Sequence, residues 1–443
     1  MPTPPAPPRA RGLPLLGNAV RCQRDPIGFI LECARRHGDV VDLGIPLMPT
    51  YLVSAPDLIE RVLVGDHRSY IKDWTTRDLS EVLGNGLLTS EGDLWRRQRR
   101  LVQPGFHKER VASYGEVMVR YAERMLDGWA PGQARDVHAD MMQLTREIVA
   151  KTLFDADLAA DGKETGEALE VVVQRFIDIP PGVPLLRRIP SPGKRRVDQA
   201  VRTLDRLILR LVAERRASGR DPGDLLSMLV NATGEGGERM DARQLRDEAM
   251  TLFLAGHETT ANALSWTWML LGRHPAARAA LLRELDGVLG GRSPTAGDLP
   301  KLRYAEHVIT ESMRLFPPAW AIGREAIAPT TLGPYQVPKG TQIWISQYIV
   351  HRDPRFYPDP DAFLPERWEG DLARRLPKYA YFPFGGGPRL CIGSAFAMME
   401  AVLLLATIAQ RFRLELVPGH PVEPAPGVTL RPRRGVRVVV QPR

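Results

Sequence analysis

Apolar side chains recur every three or four positions through the middle of the chain, from residue 57 to about residue 289. On a helix of about 3.6 residues per turn, this spacing collects them on one face, where they can be buried. Glycine and proline interrupt the pattern at 84–86, 131–132, 180–192 and 234–237, and such residues end helices or form turns. The pattern predicts a helical body that is divided into separate helices at these breaks.

The longest of these helices is predicted to begin near Asp241 and to end before Pro275. Gln244 stands three residues after Asp241, which is the spacing of a capping box. Roughly thirty residues at about 1.5 Å each give a length of about 45 Å, enough to cross the whole molecule. The positions that recur along one face of this helix are Leu245, Ala249, Leu252, Phe253, Gly256, Thr260 and Ala263.

Strand-like alternation of apolar and polar residues occurs only in short runs. Residues 40–43 and 51–54 flank a turn that contains glycine and proline, and they predict a hairpin. A short helix is predicted before it, at 27–36. Further strands are predicted at 342–345, 413–417 and 435–441. The predicted fold class is mainly α with a smaller β part.

Length and composition add the domain organisation. The 443 residues contain no serine-rich or charged spacer that would divide them, so one large fold over 1–443 is expected, with a proline-rich head at 1–18. Hydrophobic residues at 44% and charged residues at 25% are typical of a globular protein. Intrinsic disorder of the chain is therefore excluded, except at the ends.

A formal net charge of +8 raises the question of a nucleic-acid partner. No helix-turn-helix, zinc or aromatic-basic RNA motif accompanies the basic residues, so no nucleic-acid partner is expected. A basic patch can instead steer an acidic electron-transfer protein to its docking site. The basic clusters are Arg96, Arg97, Arg99 and Arg100; Lys194, Arg195 and Arg196; and Arg431, Arg433 and Arg434.

Three cysteines, Cys22, Cys33 and Cys391, suggest no disulfide framework, and they favour a reducing, cytoplasmic setting. The N-terminal head lacks an apolar core of signal-peptide or anchor length. Residues 249–271 are strongly apolar but carry His257 and Glu258 near their centre. They predict a buried core helix, and no membrane span is expected.

The segment with the most specific chemistry is 384–393, FGGGPRLCIG. Its three consecutive glycines permit a slim turn, and Pro388 stiffens it. An apolar run without proline follows at 395–408, so Cys391 is predicted at or just before a helix N-terminus, where a thiolate is favoured over a thiol. Such a thiolate is a nucleophile or a metal ligand, and the alternative is a buried structural cysteine.

A second segment with polar residues, AGHETT, lies midway along the long helix at 255–260. Ala255 and Gly256 have little side-chain bulk, so a flat ligand can approach the helix there, and Glu258 and Thr259 can handle protons beside it. The alternative is a close crossing of two helices.

Six residues of the cysteine segment fit one motif. Phe384, Gly385, Gly387, Arg389, Cys391 and Gly393 fall on F-G-x-G-x-R-x-C-x-G, the heme-binding signature of the cytochrome P450 family, which this chain resembles. The resemblance covers nearly the whole chain and implies that Cys391 ligates the iron of heme b, with Phe384 and Gly385 beside the cofactor. A cysteine thiolate pushes electron density onto heme iron and favours O–O cleavage.

The resemblance also gives roles to the long helix. Thr259 takes the position of the threonine that positions dioxygen, and Glu258 that of the acid feeding its proton relay. Ala255 and Gly256 then border the cofactor.

Trp95 and Arg99 are four residues apart, which places an indole N–H and a guanidinium on one side of a helix, and both can bind carboxylate oxygens. By resemblance they hold the heme propionates together with Arg324 and Arg389.

Glu311 and Arg314 lie three apart on one helical face, and alone they predict an exposed pair worth a few tenths of a kcal/mol. In the family they are a buried structural pair, joined here by Arg367.

The implied reaction inserts one atom of dioxygen into an organic substrate. Nothing in the chain resembles a flavin or nicotinamide domain, so the expected partners are a separate ferredoxin or flavodoxin and its NAD(P)H-dependent reductase, docking near Arg96, Arg97 and Arg100. The resemblance is weakest at 71–88 and 174–196, where the family recognises substrate.

The expected pocket is apolar and favours a hydrophobic substrate such as a terpenoid, a fatty acid or a steroid, with a terpenoid or similar ring system preferred over a fatty acid. Its residues are Leu83, Leu87, Phe176, Ile179, Leu252, Ala319, Trp320 and Ile322, beside Ala255.

Two alternatives to this function stay open. The same scaffold could use peroxide or catalyse a non-oxidative isomerisation or dehydration, although the Glu258–Thr259 pair favours dioxygen. A heme-binding sensor or carrier would need the cysteine segment but not that pair.

Overall fold

Most of the described chain is helical, as the spacing of apolar residues predicts. The computed structural model describes residues 5–443 apart from 157–161, 178–190, 220, 222, 234–236 and 238. The α-helices are α1 (Ala19–Arg24), α2 (Pro26–His37), α3 (Pro56–Glu60), α4 (Trp74–Asp78), α5 (Ser80–Leu83), α6 (Gly92–Val102), α7 (Lys108–Ser113), α8 (Gly115–Asp127), α9 (Val137–Phe154), α10 (Gly162–Ile177), α11 (Pro192–Ser218), α12 (Leu225–Asn231), α13 (Ala242–Arg273), α14 (Pro275–Leu289), α15 (Arg303–Leu315), α16 (Gln347–Val350), α17 (Leu372–Arg375) and α18 (Ser394–Arg411).

Short 3₁₀ turns and one π-turn connect several of these helices. The 3₁₀ turns are His67–Ser69, Gln103–Phe106, Ala296–Lys301, Pro365–Trp368 and Gly387–Arg389, and the π-turn is Arg61–Gly65.

The β part is smaller, as expected. Its strands are β1 (Val40–Asp42), β2 (Thr50–Val53), β3 (Tyr70–Lys72), β4 (Ala134–Asp136), β5 (Ile322–Ala326), β6 (Thr330–Leu332), β7 (Tyr335–Val337), β8 (Gln342–Ile345), β9 (Phe412–Leu416), β10 (Pro424–Pro426), β11 (Leu430–Pro432) and β12 (Arg437–Pro442). The main sheet has the order β1-β2-β8-β5-β3, and β2 and β8 are its parallel pair. A second sheet has the order β4-β12-β9, while β6 pairs with β7 and β10 with β11.

The predicted hairpin is confirmed, because β1 and β2 are antiparallel with Val40 opposite Val53. The proline-rich head lies against it: the Ala10 N–H donates to the Asp42 carbonyl at 2.8 Å, and the Asp42 N–H donates to the Pro8 carbonyl at 2.8 Å. The three later strands are also confirmed, the first with the predicted ends and the other two with ends shifted by one or two residues.

Two strands lie inside the segment predicted to be helical throughout. Each has three residues and pairs with a strand far away in the sequence, β3 with β5 and β4 with β12. A strand this short has no measurable two-residue period, and its pairing partner is fixed only by the tertiary fold.

Helix α13, called the central helix below, confirms the predicted long element. It spans 32 residues, or about 48 Å, and the Asp241 carboxylate accepts a hydrogen bond from the Gln244 N–H at 2.7 Å. The Asp241 side chain thus caps the helix start, while the side-chain amide nitrogen of Gln244 is buried without a hydrogen-bond partner among the described residues. In the second half of the helix Trp266 is completely buried and stacks on Phe316 with ring centroids 4.3 Å apart.

Helix α18 confirms the predicted apolar helix after Cys391. It is the helix within the described part of the chain that is long and apolar enough to cross a membrane, and two thirds of it (67%) is buried inside the protein. A mostly buried helix of this kind is typical of a protein core.

Candidate functional site

The cysteine segment forms a tight turn that leads into α18. The Cys391 N–H donates to the Phe384 carbonyl at 3.0 Å, which closes the turn, and the Gly385 N–H donates to the Phe382 carbonyl at 2.9 Å. Helix α18 starts at Ser394. Cys391 therefore lies just before a helix N-terminus, as the sequence predicts.

Gly387 shows why this turn needs glycine. Its φ is 66°, in the left-handed region, and a Cβ there would lie 2.0 Å from the Leu63 carbonyl oxygen. The glycine thus lets the turn pack onto the backbone that follows α3, in addition to any contact with a ligand.

Cys391 lies in a recess. Its side chain is exposed, yet enough protein surrounds it for burial to raise the pKa of the thiol. The Gly393 N–H and the charge of Arg99 lower the pKa and partly offset this effect. The expected stabilisation of a thiolate by the helix start is present, but it does not dominate. A metal ion bound at the sulfur would favour the thiolate form.

Arginine and tryptophan side chains surround the same recess. The Arg99 guanidinium donates to the Leu390 carbonyl, next to the cysteine, at 2.8 Å. The guanidinium carbon of Arg389 lies 4.0 Å from the centre of the Trp95 ring. Arg389 also donates to the Ser90 carbonyl at 2.9 Å and forms an ion pair with Glu91. Three of the predicted propionate ligands therefore lie together beside the cysteine turn.

The fourth, Arg324, brings with it a cation that the sequence analysis missed. Lys72 on β3 is directly opposite Arg324 on β5 in the strand register. Burial lowers the pKa of Lys72 well below its ordinary value, and the charges of Arg324 and Arg389 lower it further. Burial likewise lowers the pKa of Arg324, while Asp73 and Glu91 raise it. No sequence motif marks Lys72, because its place depends on the pairing of β3 with β5.

The charges around the recess fit a dianionic ligand. Among the described residues, Lys72, Arg99, Arg324 and Arg389 interact with one another or with Cys391, whereas the acids that interact with this cluster are Asp73 and Glu91. Like charges opposite each other on paired strands are unfavourable unless an anion lies near them. The two propionates of a heme would supply the missing negative charge, and Cys391 would supply the metal ligand.

The middle of the central helix packs against α18, the helix that follows the cysteine segment. Glu400, about two and a half turns beyond Cys391, lies against Thr260. One residue earlier, the Thr259 hydroxyl donates to the Ala255 carbonyl at 2.8 Å, and Ala255 is exposed although much of the helix is buried. Ala255 and Thr259 thus offer the small, accessible surface that a flat ligand requires.

Gly256 has a different environment. A Cβ at Gly256 would lie 3.0 Å from a methyl group of Val149 on α9. Its lack of a side chain is therefore accounted for by the crossing of two helices, the alternative that the sequence analysis left open. Contact of Gly256 with a cofactor stays a prediction.

Glu258 is 7% exposed and is directed at the C-terminal strands. The Thr429 hydroxyl donates to the Glu258 carboxylate at 2.6 Å and accepts from the Asn262 side-chain amide at 3.1 Å. Burial raises the pKa of Glu258, while Thr429 and the charge of Arg431 lower it. Thr429 is a second residue that the sequence does not reveal, because it lies outside every recognised motif.

Glu311 and Arg314 form a fully buried ion pair, both 0% exposed. Arg314 binds both Glu311 oxygens at 2.8 Å, and Trp368 Nε1 donates to Glu311 at 2.9 Å. Arg367 Nε approaches the same carboxylate at 3.4 Å. The structure thus brings together the three residues that resemblance groups as scaffolding, and it adds Trp368.

This scaffold continues into the cysteine segment. The Tyr381 hydroxyl donates to the Thr310 carbonyl at 3.0 Å, and the Phe382 N–H donates to His351 Nε2 at 2.9 Å. Arg314 in turn donates to the His351 carbonyl at 2.8 Å. The chain entering the turn is therefore fixed before Phe384 is reached.

The predicted pocket residues are only partly brought together. Leu83, Leu87, Leu252 and Trp320 are buried in one apolar cluster. Ile322 packs beside a second cluster, and its Cδ1 would lie 3.3 Å from a Cβ at Gly385. Ala319 is half-buried. Ile179 and the side chain of Phe176 lie outside the described residues.

The sequence matches known proteins over nearly its whole length. The family model described as Cytochrome P450 matches residues 5–438. The chain is 42% identical to cyclooctatin synthase of Streptomyces melanosporofaciens, over 98% of this chain and 95% of that protein. It is 38% identical to cyclooctat-9-en-7-ol 5-monooxygenase of the same organism, over 92% and 89%, and 32% identical to pentalenene oxygenase of Streptomyces avermitilis, over 95% and 94%.

Solved structures share the fold as well. The heme domain of cytochrome P450DA superposes with a TM-score of 0.90 at 26% identity, covering 100% of this chain and 98% of that one. Cyanobacterial CYP120A1 with bound retinoic acid also gives a TM-score of 0.90 at 26% identity, covering 100% of both chains.

Proposed function

The chain belongs to the cytochrome P450 family and is a heme-dependent, oxygen-incorporating oxidoreductase, and on that premise we propose that it oxygenates a terpenoid with electrons from a separate protein. The observation that carries the substrate class is the likeness, over 98% of this chain, to the relative named cyclooctatin synthase, together with the likeness to the relative named pentalenene oxygenase. The buried leucines at 83, 87 and 252 agree with an apolar substrate.

The residues that would hold the cofactor are Cys391 at the iron and, at the propionates, the cationic side chains of Lys72, Arg99, Arg324 and Arg389 with the neutral indole N–H of Trp95. When bound, heme with a thiolate ligand supplies dioxygen activation. The protein holds the substrate against it, excludes water and meters protons.

Thr259 and Glu258 have separate tasks in this proposal. The Thr259 hydroxyl is oriented by the Ala255 carbonyl, which leaves its lone pairs available to accept a hydrogen bond. Because burial raises the pKa of Glu258, its carboxyl retains a proton to higher pH than an ordinary glutamate does. Thr429 and Asn262 hold that carboxyl in place and form the start of a route for its proton.

The Thr259→Ala variant tests this assignment. It should keep the heme and the strongly red-shifted Soret band of the reduced, carbon-monoxide-bound protein, because no contact of Cys391 changes. It should divert reducing equivalents to peroxide, with product per NAD(P)H at least about tenfold lower, since a positioned proton donor contributes roughly 10²-fold or more. Full product yield in the variant would sink the assignment.

The electron donor in this proposal is a ferredoxin or flavodoxin with its NAD(P)H-dependent reductase. Arg96 and Arg100 on α6 are exposed next to the recess, Arg96 forms an ion pair with Asp93, and Arg97 is half-buried. An acidic partner would be steered to this face, so charge reversal at Arg96 and Arg100 should slow heme reduction and weaken its salt dependence. Reduction rates insensitive to both salt and charge reversal would exclude this docking face.

The substrate class is tested by adding a panel of ligands to the purified protein and recording the shift of the Soret band. A cyclic terpene alcohol is expected to give the largest shift, a fatty acid and a steroid smaller ones. A polar molecule giving the only response would overturn the terpenoid proposal. Product formation with peroxide alone, but none with reductase and oxygen, would instead favour the peroxide-using alternative.

We also propose a cytoplasmic location. All three cysteines of the described chain are free, and Cys22 and Cys33 stay thiols although both are buried near each other. A cytosol that keeps thiols reduced suits this pattern.

A further inference from the structure

A loop of the predicted substrate-recognition segment is attached to the central helix by two acidic side chains. This loop, residues 84–88, follows α5 and leads to α6. The Asn85 N–H donates to the Asp247 carboxylate at 2.8 Å, and the Leu87 N–H donates to the Glu248 carboxylate at 3.0 Å. A backbone N–H bound to a carboxyl oxygen at these distances holds that point of the loop against the helix. These two bonds hold the loop through its backbone, and the Gln98 side-chain amide on α6 also donates to the Asn85 carbonyl at 2.8 Å.

The contact between loop and helix is too close for any residue but glycine at two positions. A Cβ at Gly84, where φ is 58°, would lie 2.1 Å from an Asp247 oxygen. A Cβ at Gly86 would lie 2.1 Å from the Thr251 hydroxyl and 2.5 Å from the Asp247 carbonyl oxygen. Loop 84–88 therefore rests directly on the helix, and a small displacement would alter the space beside it.

The two acids differ in their charge balance. Asp247 has a cationic partner, Arg246, at 3.0 Å. Glu248 is 0% exposed, and its second oxygen, like the Thr251 hydroxyl, has no partner among the described residues. Burial raises the pKa of Glu248 to about 8, and the Leu87 N–H lowers it. A polar group buried at this cost has one visible use in the structure, which is to hold Leu87.

Glu248 also lies on the face of the central helix that carries the proposed substrate and dioxygen residues. Residues spaced by four, seven and eleven positions share one side of a helix, so Glu248 is in line with Leu252, Ala255 and Thr259. Leu87 and Leu252 are both buried in the same apolar cluster. The Glu248 side chain thus holds the loop at one end of this row of residues. The proposed function places substrate and dioxygen beside the other end, at Ala255 and Thr259.

We infer that Glu248 is a positioning residue for substrate: by holding the Leu87 backbone it sets the separation of loop 84–88 from the central helix, and thereby the width of the pocket. This inference rests on the proposed function for the identity of the substrate, a terpenoid, but the width itself applies to any ligand of the heme. The expected consequence is that the pocket selects ligands by the width of their ring systems. Broad ring systems are excluded while the loop is held, and are admitted when it is released.

The experiment compares two imidazole ligands in the holoenzyme, free imidazole and a bulky triaryl imidazole, by titrating the shift of the Soret band. Glu248→Ala removes the acceptor, and Gly86→Ala forces the loop off the helix. In both variants the ratio of the Kd of the bulky ligand to that of imidazole should fall about tenfold, the equivalent of one typical hydrogen bond. The Kd of imidazole itself should stay within about twofold, because it contacts little beyond the metal.

Two matched variants keep the experiment specific. Glu248→Gln retains a carbonyl oxygen that can accept from Leu87, so its ratio should match that of the parent. Gly287→Ala adds a methyl group on α14 where nothing lies within 4 Å, and it should also match the parent. An unchanged ratio in both Glu248→Ala and Gly86→Ala, with the thiolate-type carbon-monoxide spectrum intact, would refute the inference.

The outcome is separable from that of the proposed function. A parent protein that responds to the imidazoles but to no terpenoid would overturn the substrate proposal and leave the width measurement valid. If Glu248→Ala does not fold, Gly86→Ala with its glycine control decides the question alone.

Discussion

Glu311 and Glu400 are both completely buried, one in the scaffold that leads into the cysteine segment and the other between α18 and the central helix. Glu311 accepts hydrogen bonds from Arg314 and Trp368. Neither oxygen of Glu400 makes a well-aligned hydrogen bond within the described part of the chain, and no arginine or lysine acts on it.

The difference between the two regions is one of charge compensation. Around Glu311 the charges are paired and fixed in one geometry, so this acid holds the surrounding segments in place. Burial raises the pKa of Glu400 to about 8, and the nearby Thr260 hydroxyl only partly opposes this, so that acid is neutral over most of the physiological range. The first region should thus be sensitive to loss of charge and the second to gain of charge.

The largest effect is expected from Glu311→Gln. The substitution leaves Arg314 and the neighbouring Arg367 without their carboxylate in a place that water does not reach. Breaking a buried pair in this way costs about 3–5 kcal/mol. We expect misfolded, heme-poor protein, measured as the yield of soluble protein and its heme content. Normal yield of holoenzyme would refute the scaffolding role, and Glu116→Gln, at an exposed glutamate on α8, is the control.

Parts of this comparison could be predicted from the sequence and parts could not. Cys391, Glu311 and Arg314 lie in contiguous motifs, and the central helix has a long, regular pattern, so local sequence suffices for them. Lys72 and Thr429 escape because each owes its role to a partner far away in the sequence, Arg324 and Glu258. Such contacts depend on strand register and on how the C-terminal strands meet the helix, which a single sequence does not encode locally.

The same limit applies to two details of the site. Contact of Gly256 with a cofactor stays a prediction, and the sequence does not reveal that Val149 packs against this glycine, because adjacent residues of a helix point about 100° apart and the sequence does not say which neighbour packs closest. For Cys391 the helix start predicts a depressed pKa, but burial raises it, and burial depends on the whole fold.

A smaller but distinctive effect is expected from Glu400→Gln. The folded-state pKa of Glu400, about 8, lies above its ordinary value of 4.5, so between these pH values the folded protein binds the extra proton. Its contribution to stability is complete below pH 4.5 and is lost as pH rises through 8. Each pKa unit corresponds to about 1.4 kcal/mol, so the variant should exceed the parent by up to a few kcal/mol at high pH.

Thermal unfolding midpoints of parent and Glu400→Gln, recorded from acid to alkaline pH, check this sign. The two curves should coincide below about pH 4.5, where Glu400 is protonated in both the folded and the unfolded protein, should separate progressively between pH 4.5 and 8, and should stay apart above pH 8. A variant less stable than the parent at high pH would mean that Glu400 is ionised and paired like Glu311, and the contrast between the regions would disappear.

Trp368→Phe removes a neutral hydrogen-bond donor from Glu311 and leaves its cationic partners in place. It removes one N–H donor to Glu311, at 2.9 Å, and keeps an aromatic ring near Tyr381, whose ring centre is 4.6 Å away. Arg314 still compensates the charge, so the free energy of unfolding should fall by only about 1.5–3 kcal/mol, the value of one hydrogen bond to a charged group. Denaturant unfolding of the holoenzyme measures it. A loss as large as that of Glu311→Gln would show that the indole, and not the arginine, holds the carboxylate.

The smallest effect is expected at an exposed ion pair. This pair shows how much two nearby charges contribute to stability when they are not buried. Arg374 lies 3.5 Å from Asp371, with side chains 85% and 61% exposed. Arg374 is the partner to replace, because Asp371 has a φ of 57° and any substitution there would also change backbone strain. In Arg374→Gln the free energy of unfolding should change by less than about 0.5 kcal/mol, since solvent screens the charges. A loss above about 1 kcal/mol would mean that charge pairing alone, without burial, accounts for the rigidity around Glu311.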